Sequence, residues 1–307
     1  MKSFIRIHLP LFIVNLIYGI NFTVAKSVMP AYIQPLGFIV IRVGVAMLLF
    51  IVLHSLFIRE KVDRKDFPLL IFCALFGVAL NQSLFFMGIR YTTPIHGSLI
   101  MIATPILVLI ISRAVAREKV SLQKTGGIIL GASGALLLVL FGKKLQSGIN
   151  TPLGDTLVFL NATCYAIYLV MVKPLMSKYN PFTIVKWIFT FGFLFVLPLG
   201  TAPFLQIEWT TFTAPVWAAV ASVVIGATFL AYLLNNIALR YASPAIVGIY
   251  IYFQPLVAAV VALYFGKEEL TPVKVIAALL IFAGVFLVSR KDKKISPEQL
   301  NAPGLEK

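Results

Sequence analysis

The chain has 307 residues, of which 60% are hydrophobic and only 12% are charged. Soluble proteins have roughly 45 to 50% apolar and about 25% charged residues, so this composition excludes a soluble enzyme, a secreted disulfide scaffold and a disordered chain. The net charge of +15 comes from basic residues in short gaps between apolar runs, which is typical of membrane topology signals and not of a nucleic-acid-binding surface.

Ten apolar runs are long enough to cross a bilayer, because a helix needs about 20 residues to span the hydrocarbon. These runs lack the short alternating pattern of β-barrel strands, and lipid then requires helices. The sequence therefore predicts an all-α integral membrane protein with ten transmembrane helices. In chain order the predicted spans are 9–29, 36–58, 67–89, 94–112, 121–141, 154–174, 181–203, 214–238, 243–265 and 271–290.

The basic residues are distributed unevenly between the two sides that these spans define. With the N-terminus inside, 18 of the 26 basic residues fall in cytoplasmic segments and 6 in external segments. Because positively charged loops stay in the cytoplasm, both termini are predicted there, with the protein in the cell membrane. Residues 291–307 have too few apolar side chains to fold and are predicted to form a disordered cytoplasmic tail.

The two halves of the chain share an internal repeat. A shift of 150 residues brings Arg90-Tyr91 onto Arg240-Tyr241, and a shift of 147 residues aligns Tyr18 with Tyr165. We predict a first repeat over residues 1–145 and a second over residues 146–290, each with five helices. Because five is odd, the second repeat must enter the bilayer from the opposite side. Such inverted repeats are typical of secondary transporters.

The repeated residues resemble the EamA domain of the drug/metabolite transporter superfamily. The resemblance covers about residues 9–290 and implies two five-helix repeats, cytoplasmic termini, and movement of small metabolites through a central cavity. Two departures concern Tyr18-Gly19, where many relatives have Trp-Gly, and His96, which occupies a position that is usually small. The residues that carry the resemblance are Arg90-Tyr91, Pro94, Pro105, Glu118, Gly127 and Gly134, repeated as Arg240-Tyr241, Pro244, Pro255, Glu268 and Gly284.

Two prolines lie near the middle of the fourth and ninth predicted spans. Pro105 and Pro255 each remove a backbone hydrogen bond, so each is predicted to kink its helix and free a carbonyl one turn earlier. A polar residue precedes each proline, Thr104 in one half and Gln254 in the other. A static kink and a binding site or gate near the midplane both explain this pattern.

Polar and aromatic side chains also collect inside the other predicted spans. Hydrogen bonds between helices explain any single amide, because amides in hydrocarbon are costly unless paired. The whole set instead favours a polar cavity for a substrate. The predicted cavity residues are Asn15, Tyr18, Phe22, Asn81, Gln82, Thr104, Tyr165, Tyr168, Asn235, Tyr250 and Gln254.

Charged residues within the predicted spans are few and basic. Lys26 and Lys173 lie near span ends, where they serve either as interfacial anchors or as a gate, and Arg42 is interpreted as an anchor. His96 is a candidate for proton coupling, with a structural hydrogen bond as the alternative. The acidic residues lie in loops, at helix ends or in the tail, which disfavours a cationic substrate and coupling through a buried carboxylate.

These observations predict a secondary transporter of a small neutral or zwitterionic metabolite, amino-acid-like or aromatic, that works by alternating access and exports its substrate. No catalytic set, metal-binding spacing or nucleotide-binding motif occurs, so neither an enzyme nor a cofactor is expected. A passive channel and an intramembrane enzyme are the alternatives. The expected partners are the substrate and the lipid bilayer, with no nucleic acid. The small residues Gly127, Gly131 and Ala135 pack either on the tenth helix or in a homodimer.

Overall fold

A computed structural model describes residues 2–29, 31–92, 97, 100–115, 121–142, 152–264 and 271–289. Within these residues the ordered elements are helical and no strand occurs, so the predicted all-α class is confirmed there. The helices are α1 (Lys2–Val28), α2 (Pro35–Phe57), α3 (Arg64–Tyr91), α4 (Thr104–Ala114), α5 (Leu122–Gly142), α6 (Pro152–Lys178), α7 (Pro181–Leu205), α8 (Ala214–Tyr241), α9 (244–264) and α10 (Pro272–Ser289).

Five helices, α2, α3, α6, α7 and α8, are long and apolar enough to cross a membrane. The described parts of α1, α4, α9 and α10 contain shorter apolar stretches. Proline begins α2 and α7, where its missing N–H leaves no hydrogen bond unmade. Helix α1 starts at Lys2, seven residues before the predicted span, whereas most other ends agree within about four residues. The count of ten crossings stays a prediction.

Helices α2 and α7, which hold equivalent places in the two halves, pack against each other in opposite directions. Gly37 near the start of α2 lies against Pro203 near the end of α7. Further along α2, Phe50 packs on Phe189 in the first half of α7, with ring centroids 5.1 Å apart. Residue numbers therefore rise along one helix as they fall along the other.

Helices α5 and α10 form a second antiparallel pair of equivalent helices. A Cβ atom on Gly127 would lie 2.9 Å from the carbonyl oxygen of Gly284, and one on Gly134 would lie 2.7 Å from that of Ala277. Small residues thus allow the two backbones to approach closely. The small residues of α5 therefore pack on α10, which is one of the two alternatives that the sequence left open. The homodimer stays a prediction.

Helices α3 and α8 each contain a π-helical segment at an equivalent position. These segments, Leu75–Leu80 and Ser222–Leu230, end just before polar residues such as Gln82 and Tyr232. A π-helical turn changes the direction in which the following side chains point, and such turns are frequent at functional sites. The segments therefore set the orientation of the polar residues that follow.

The helices break at both central prolines. Helix α4 begins at Thr104 with Pro105 in its first turn, directly after a turn at Ile102. The hydroxyl of Tyr252 donates a hydrogen bond to the carbonyl oxygen of Ile102 at 3.2 Å. The two broken helices thus contact each other, and one satisfies a backbone acceptor of the other. Around Pro255, α9 consists of Pro244–Ile249, a 3-10 turn at Tyr250–Tyr252, and Phe253–Tyr264.

Candidate functional site

A cavity with a volume of about 90 Å³ lies between the two halves. Its polar and tyrosine lining residues are Asn15, Tyr18, Asn21, Arg42, Asn81, Gln82, Asn161, Tyr165, Tyr232, Asn235 and Gln254. Its apolar lining residues are Val14, Phe85, Phe86, Met101, Ala227, Val247 and Ile251.

One wall of the cavity joins α1 to the broken helix α9. The side-chain nitrogen of Gln254 donates to Asn15 Oδ1 at 3.0 Å, and Asn15 Nδ2 donates to the carbonyl oxygen of Leu11 at 2.7 Å. Gln254 directly precedes Pro255, so the helix break holds its amide at the cavity. The two halves therefore meet here through an amide pair.

A second contact between the halves is centred on Tyr232 of α8. Its hydroxyl donates to the carbonyl oxygen of Gly77 at 2.8 Å and lies 3.3 Å from Asn81 Oδ1. The same hydroxyl accepts a hydrogen bond from Gln82 Nε2 at 3.3 Å. Gln82 and Tyr232 occupy equivalent positions under the 150-residue repeat, so this hydrogen bond joins the same position of the two halves.

Helices α3 and α6 are joined by a reciprocal pair of hydrogen bonds. Asn161 Nδ2 donates to the backbone oxygen of Asn81 at 2.7 Å, and Asn81 Nδ2 donates to the backbone oxygen of Asn161 at 3.4 Å. The side-chain oxygen of Asn161 is buried and has no hydrogen-bond partner. The same holds for Asn21 Oδ1 and Gln82 Oε1, so the cavity wall contains three unpaired amide acceptors.

Helices α6 and α8 close one side of the cavity through successive polar contacts. Asn235 donates to the hydroxyl of Tyr165, and the hydroxyl of Tyr168 donates to Asn236 Oδ1 at 2.8 Å. Beyond these contacts, Lys173 Nζ donates to the carbonyl oxygen of Leu239 at 2.6 Å, near the negative C-terminal end of α8. We call these contacts, Tyr165 with Asn235, Tyr168 with Asn236, and Lys173 with Leu239, the α6–α8 seal.

An ionic cluster holds α6 to the start of α3 further from the cavity on the same side. Lys178 Nζ donates to Asp63 Oδ2 at 2.6 Å and also contacts Asp66, which accepts from the hydroxyl of Tyr179 at 2.5 Å. The hydrogen bond and positive charge of Lys178 lower the pKa of Asp63 below its usual value. Asp63 therefore stays ionised at neutral pH, and the cluster is exposed enough for salt to screen it.

Arg42 of α2 is the only charged side chain among the described residues that line the cavity. It is 3% exposed, its Nε donates to Thr228 Oγ1 at 2.8 Å, and its guanidinium carbon lies 4.2 Å from the centroid of the Phe86 ring. Its Nη1 atom is buried without a hydrogen-bond partner. The cavity thus presents one cationic group among amides and aromatic rings.

Comparisons with known proteins agree with this architecture. The sequence profile of the EamA-like transporter family matches residues 6–140 and 152–290. The chain belongs to this family.

Several relatives of the family are similar over most of their length. The uncharacterized transporter YyaM of Bacillus subtilis is 24% identical over 291 residues, which cover 93% of this chain and 94% of YyaM. A probable terminal-alkyne amino-acid exporter of Streptantibioticus cattleyicolor is 24% identical and covers 76% of each chain. A solved crystal structure superposes with a TM-score of 0.71 over 92% of this chain and 95% of its own, at 16% identity, which shows the fold alone.

Within this EamA chain, seven of the predicted cavity residues lie in the cavity wall. Three others lie elsewhere among the described residues: Thr104 is fully buried, Tyr168 bonds Asn236 in the α6–α8 seal, and the hydroxyl of Tyr250 is 2.5 Å from His8 Nδ1. The seven in the wall are Asn15, Tyr18, Asn81, Gln82, Tyr165, Asn235 and Gln254.

The predicted gate or coupling residues are only partly visible. Lys173 belongs to α6 and lies outside the cavity wall, where its Nζ donates to the backbone carbonyls of Leu239 and Arg240 at the end of α8. His96, and the side chains of Phe22 and Lys26, lie outside the described residues. The proposed roles of His96 and Lys26 stay predictions.

The sequence interpretation of Arg42 as an interfacial anchor is wrong. It rested on the distance of Arg42 from the end of its span, but the side chain extends sideways to Thr228, 186 residues away in the sequence. Asn161 and Tyr232, which belong to the polar and aromatic set inside the predicted spans, also line the cavity, and so does Asn21, which the sequence analysis missed. A charged residue inside a span that lacks an acidic neighbour was the available signal for Arg42.

Proposed function

We propose that this chain is a secondary transporter that moves a small neutral or zwitterionic metabolite, amino-acid-like or aromatic, by alternating access. The observation that carries the proposal is the cavity of amides and aromatic rings between two halves whose equivalent helices run antiparallel. Transporters built from inverted repeats bind their substrates at such a position. Membership of the EamA-like transporter family supports the general function.

The proposal includes ten crossings as two inverted five-helix repeats, with both termini in the cytoplasm of a cell-membrane protein. The antiparallel pairs α2 with α7 and α5 with α10 support the inversion, because an odd number of crossings turns the second half over. The excess of basic residues in the segments between the spans on one side supports the orientation.

Differences between the halves support a cavity that is closed on one side and open on the other. The equivalents of Tyr168 and Asn236, which bond each other in the α6–α8 seal, are Asn21 and Phe86 on α1 and α3. Asn21 and Phe86 form no such hydrogen bond and line the cavity wall instead. In the proposed orientation the seal is cytoplasmic and the cavity faces outward.

The substrate class follows from the lining and is consistent with one relative. Tyr18, Tyr165, Phe85 and Phe86 offer apolar ring surface, while the amides supply hydrogen bonds. The similar protein from Streptantibioticus cattleyicolor is named as a probable amino-acid exporter. We extend amino-acid-like substrates and the direction of export to this chain on that basis.

Transport by purified protein in proteoliposomes tests this proposal. We expect uptake of labelled L-phenylalanine, or of another aromatic amino acid, to saturate and to be accelerated by the same unlabelled compound inside the vesicles. Gln254→Ala should reduce this uptake about tenfold, since it removes an amide from the cavity wall, whereas Gln206→Ala at an exposed position after α7 should not. Uptake that never saturates and shows no counterflow would indicate a channel, and a product that forms without translocation would indicate an enzyme.

A further inference from the structure

Arg42 enters the cavity as a cation that the protein itself does not neutralise. No Asp or Glu is found among the described residues of the cavity wall. A buried charge is costly unless it is paired with an opposite charge or fully hydrogen-bonded. The cavity therefore offers an unneutralised cation to which an anionic group of a ligand can bind.

The contacts of Arg42 hold its guanidinium group in place without satisfying it. The hydroxyl of Thr228 accepts a hydrogen bond from Arg42 Nε at 2.8 Å and donates one to the carbonyl oxygen of Val223 at 3.0 Å. These two bonds fix the orientation of the Thr228 hydroxyl. The ring of Phe86 covers one face of the guanidinium group. These contacts leave Nη1 buried and without a hydrogen-bond partner, in a side chain that lines the cavity.

We propose that Arg42 binds the carboxylate group of the substrate. The inference rests on the proposed transport function and specifies its substrate class. A guanidinium group offers several N–H donors in a plane, which suits the two oxygens of a carboxylate. Binding supplies the missing negative charge to Arg42, so the carboxylate contributes affinity that an uncharged amide cannot replace.

The unpaired amide oxygens of the same wall suit a cationic group of the substrate. Asn21 Oδ1, Gln82 Oε1 and Asn161 Oδ1 are buried in the same cavity wall without hydrogen-bond donors. An ammonium group carries three N–H donors and no acceptor, so it suits these oxygens. The cavity therefore favours a solute that carries both a carboxylate and an ammonium group over one that carries the ammonium group alone.

Thermal-shift titration of the purified full chain with matched probes tests this assignment. The probes are L-phenylalanine, L-phenylalaninamide, which lacks the carboxylate, and 3-phenylpropionate, which lacks the ammonium group. We expect L-phenylalanine to bind at least tenfold more tightly than its amide. Arg42→Met should abolish this preference, and Arg42→Lys should keep part of it, because lysine retains the charge without the planar donors.

Two further variants separate binding from folding. Lys186→Met removes a cation from α7 that does not line the cavity, and it should leave the preference intact. Thr228→Val removes the hydroxyl that orients Arg42, and it should weaken carboxylate binding several-fold and so reduce, without abolishing, the preference for carboxylate over amide. If Arg42→Met fails to fold, the partial loss of this preference in Arg42→Lys and Thr228→Val provides the comparison.

Three outcomes would overturn the assignment: equal binding of L-phenylalanine and its amide, a carboxylate preference that survives in Arg42→Met, or a panel in which no carboxylate stabilises the protein more than its amide. Saturable counterflow with equal affinity for acid and amide would reject the role of Arg42 and leave the transporter proposal standing. Absence of counterflow together with a preserved carboxylate preference would reject the transporter proposal and leave the role of Arg42 standing.

Discussion

Gly77 shows how a single missing side chain makes room for the seal between α6 and α8. A Cβ atom at this position would overlap the ring of Tyr168, whose hydroxyl bonds Asn236. The equivalent position in the second half is Ala227, and the equivalent of Tyr168 is the smaller Asn21. A residue as small as glycine is therefore needed only where the bulky tyrosine packs.

The variant Gly77→Ala should destabilise the protein by about 1 to 3 kcal/mol, because overpacking forces a buried ring to move. Gly226→Ala is the matched control, since the one heavy atom of the described residues within 4 Å of its new Cβ is Cγ2 of Ile17 at 3.7 Å. Thermal unfolding of both variants in the same detergent measures the difference. Equal midpoints of thermal unfolding for the two variants would show that the ring of Tyr168 moves aside at no cost in stability.

At the scale of residues, sequence reasoning finds polar side chains but not their partners. Asn15 and Gln254 were both predicted to line a cavity, as members of a set of polar residues inside apolar spans, and the structure shows them in the cavity wall and bonded to each other. Arg42 was misassigned, since a long side chain near a span end snorkels in most proteins. Its path is decided by Thr228 and Phe86, which no local pattern around Arg42 reveals.

At the scale of elements, α5 and α10 pack so closely that backbone contacts backbone. Gly127 faces the carbonyl oxygen of Gly284 and the side chains of Leu287 and Val288 on α10, whereas no described residue lies within 4 Å of a Cβ atom on the neighbouring Gly126. Substitution of Gly127 therefore tests the packing of α5 on α10, whereas substitution of Gly126 tests only the helix propensity of α5. This interface lies on the far side of α5 from the exposed face that includes Gly126.

Gly127→Ala should destabilise the chain by about 1 to 3 kcal/mol, because the added methyl group meets the carbonyl oxygen of Gly284 at 2.9 Å, and a backbone atom cannot rotate away. Gly126→Ala should be neutral or stabilise by up to about 1 kcal/mol through helix propensity. Chemical or thermal unfolding of the two variants checks the contrast. A larger loss for Gly126→Ala would mean that the exposed face of α5 is covered, as in a homodimer.

Most helix positions follow from the apolar runs, because an apolar run must form a helix to satisfy its backbone in lipid. The interruptions within helices do not follow in the same way. Proline predicts a weak point at Pro105 and Pro255, but the turn before Thr104, the 3-10 turn at Tyr250–Tyr252 and the hydrogen bond from Tyr252 to Ile102 depend on the packing of α4 on α9. The π-helical segments of α3 and α8 carry no comparable sequence signal.

At the scale of the whole molecule, the two halves share a fold and differ in the residues that close the cavity. One side has Tyr165 with Asn235 and Tyr168 with Asn236, held by hydrogen bonds. On the other side the equivalents of the two asparagines are Phe85 and Phe86, which line the cavity. The sealed state therefore depends on a small number of hydrogen bonds. Alternating access requires that these bonds break when the other side closes.

The double variant Tyr168→Phe with Asn236→Ala should shift the protein towards a state that opens between α6 and α8. Spin labels at the exposed Ser177 and at Tyr241, near the ends of these helices, report that separation, with the buried Cys73 and Cys164 replaced by alanine. We expect a second, longer distance whose population rises about fivefold, because a buried hydrogen bond contributes about 1 kcal/mol.

A second pair of labels at Ser27 and Tyr91, near the corresponding ends of α1 and α3, provides the decisive comparison. If the halves exchange roles, this distance should shorten in the same fraction of molecules in which the distance between Ser177 and Tyr241 lengthens. An increase of the distance between Ser177 and Tyr241 with no change between Ser27 and Tyr91 would indicate local loosening of the seal. That result would contradict alternating access, because both ends would then be open at once.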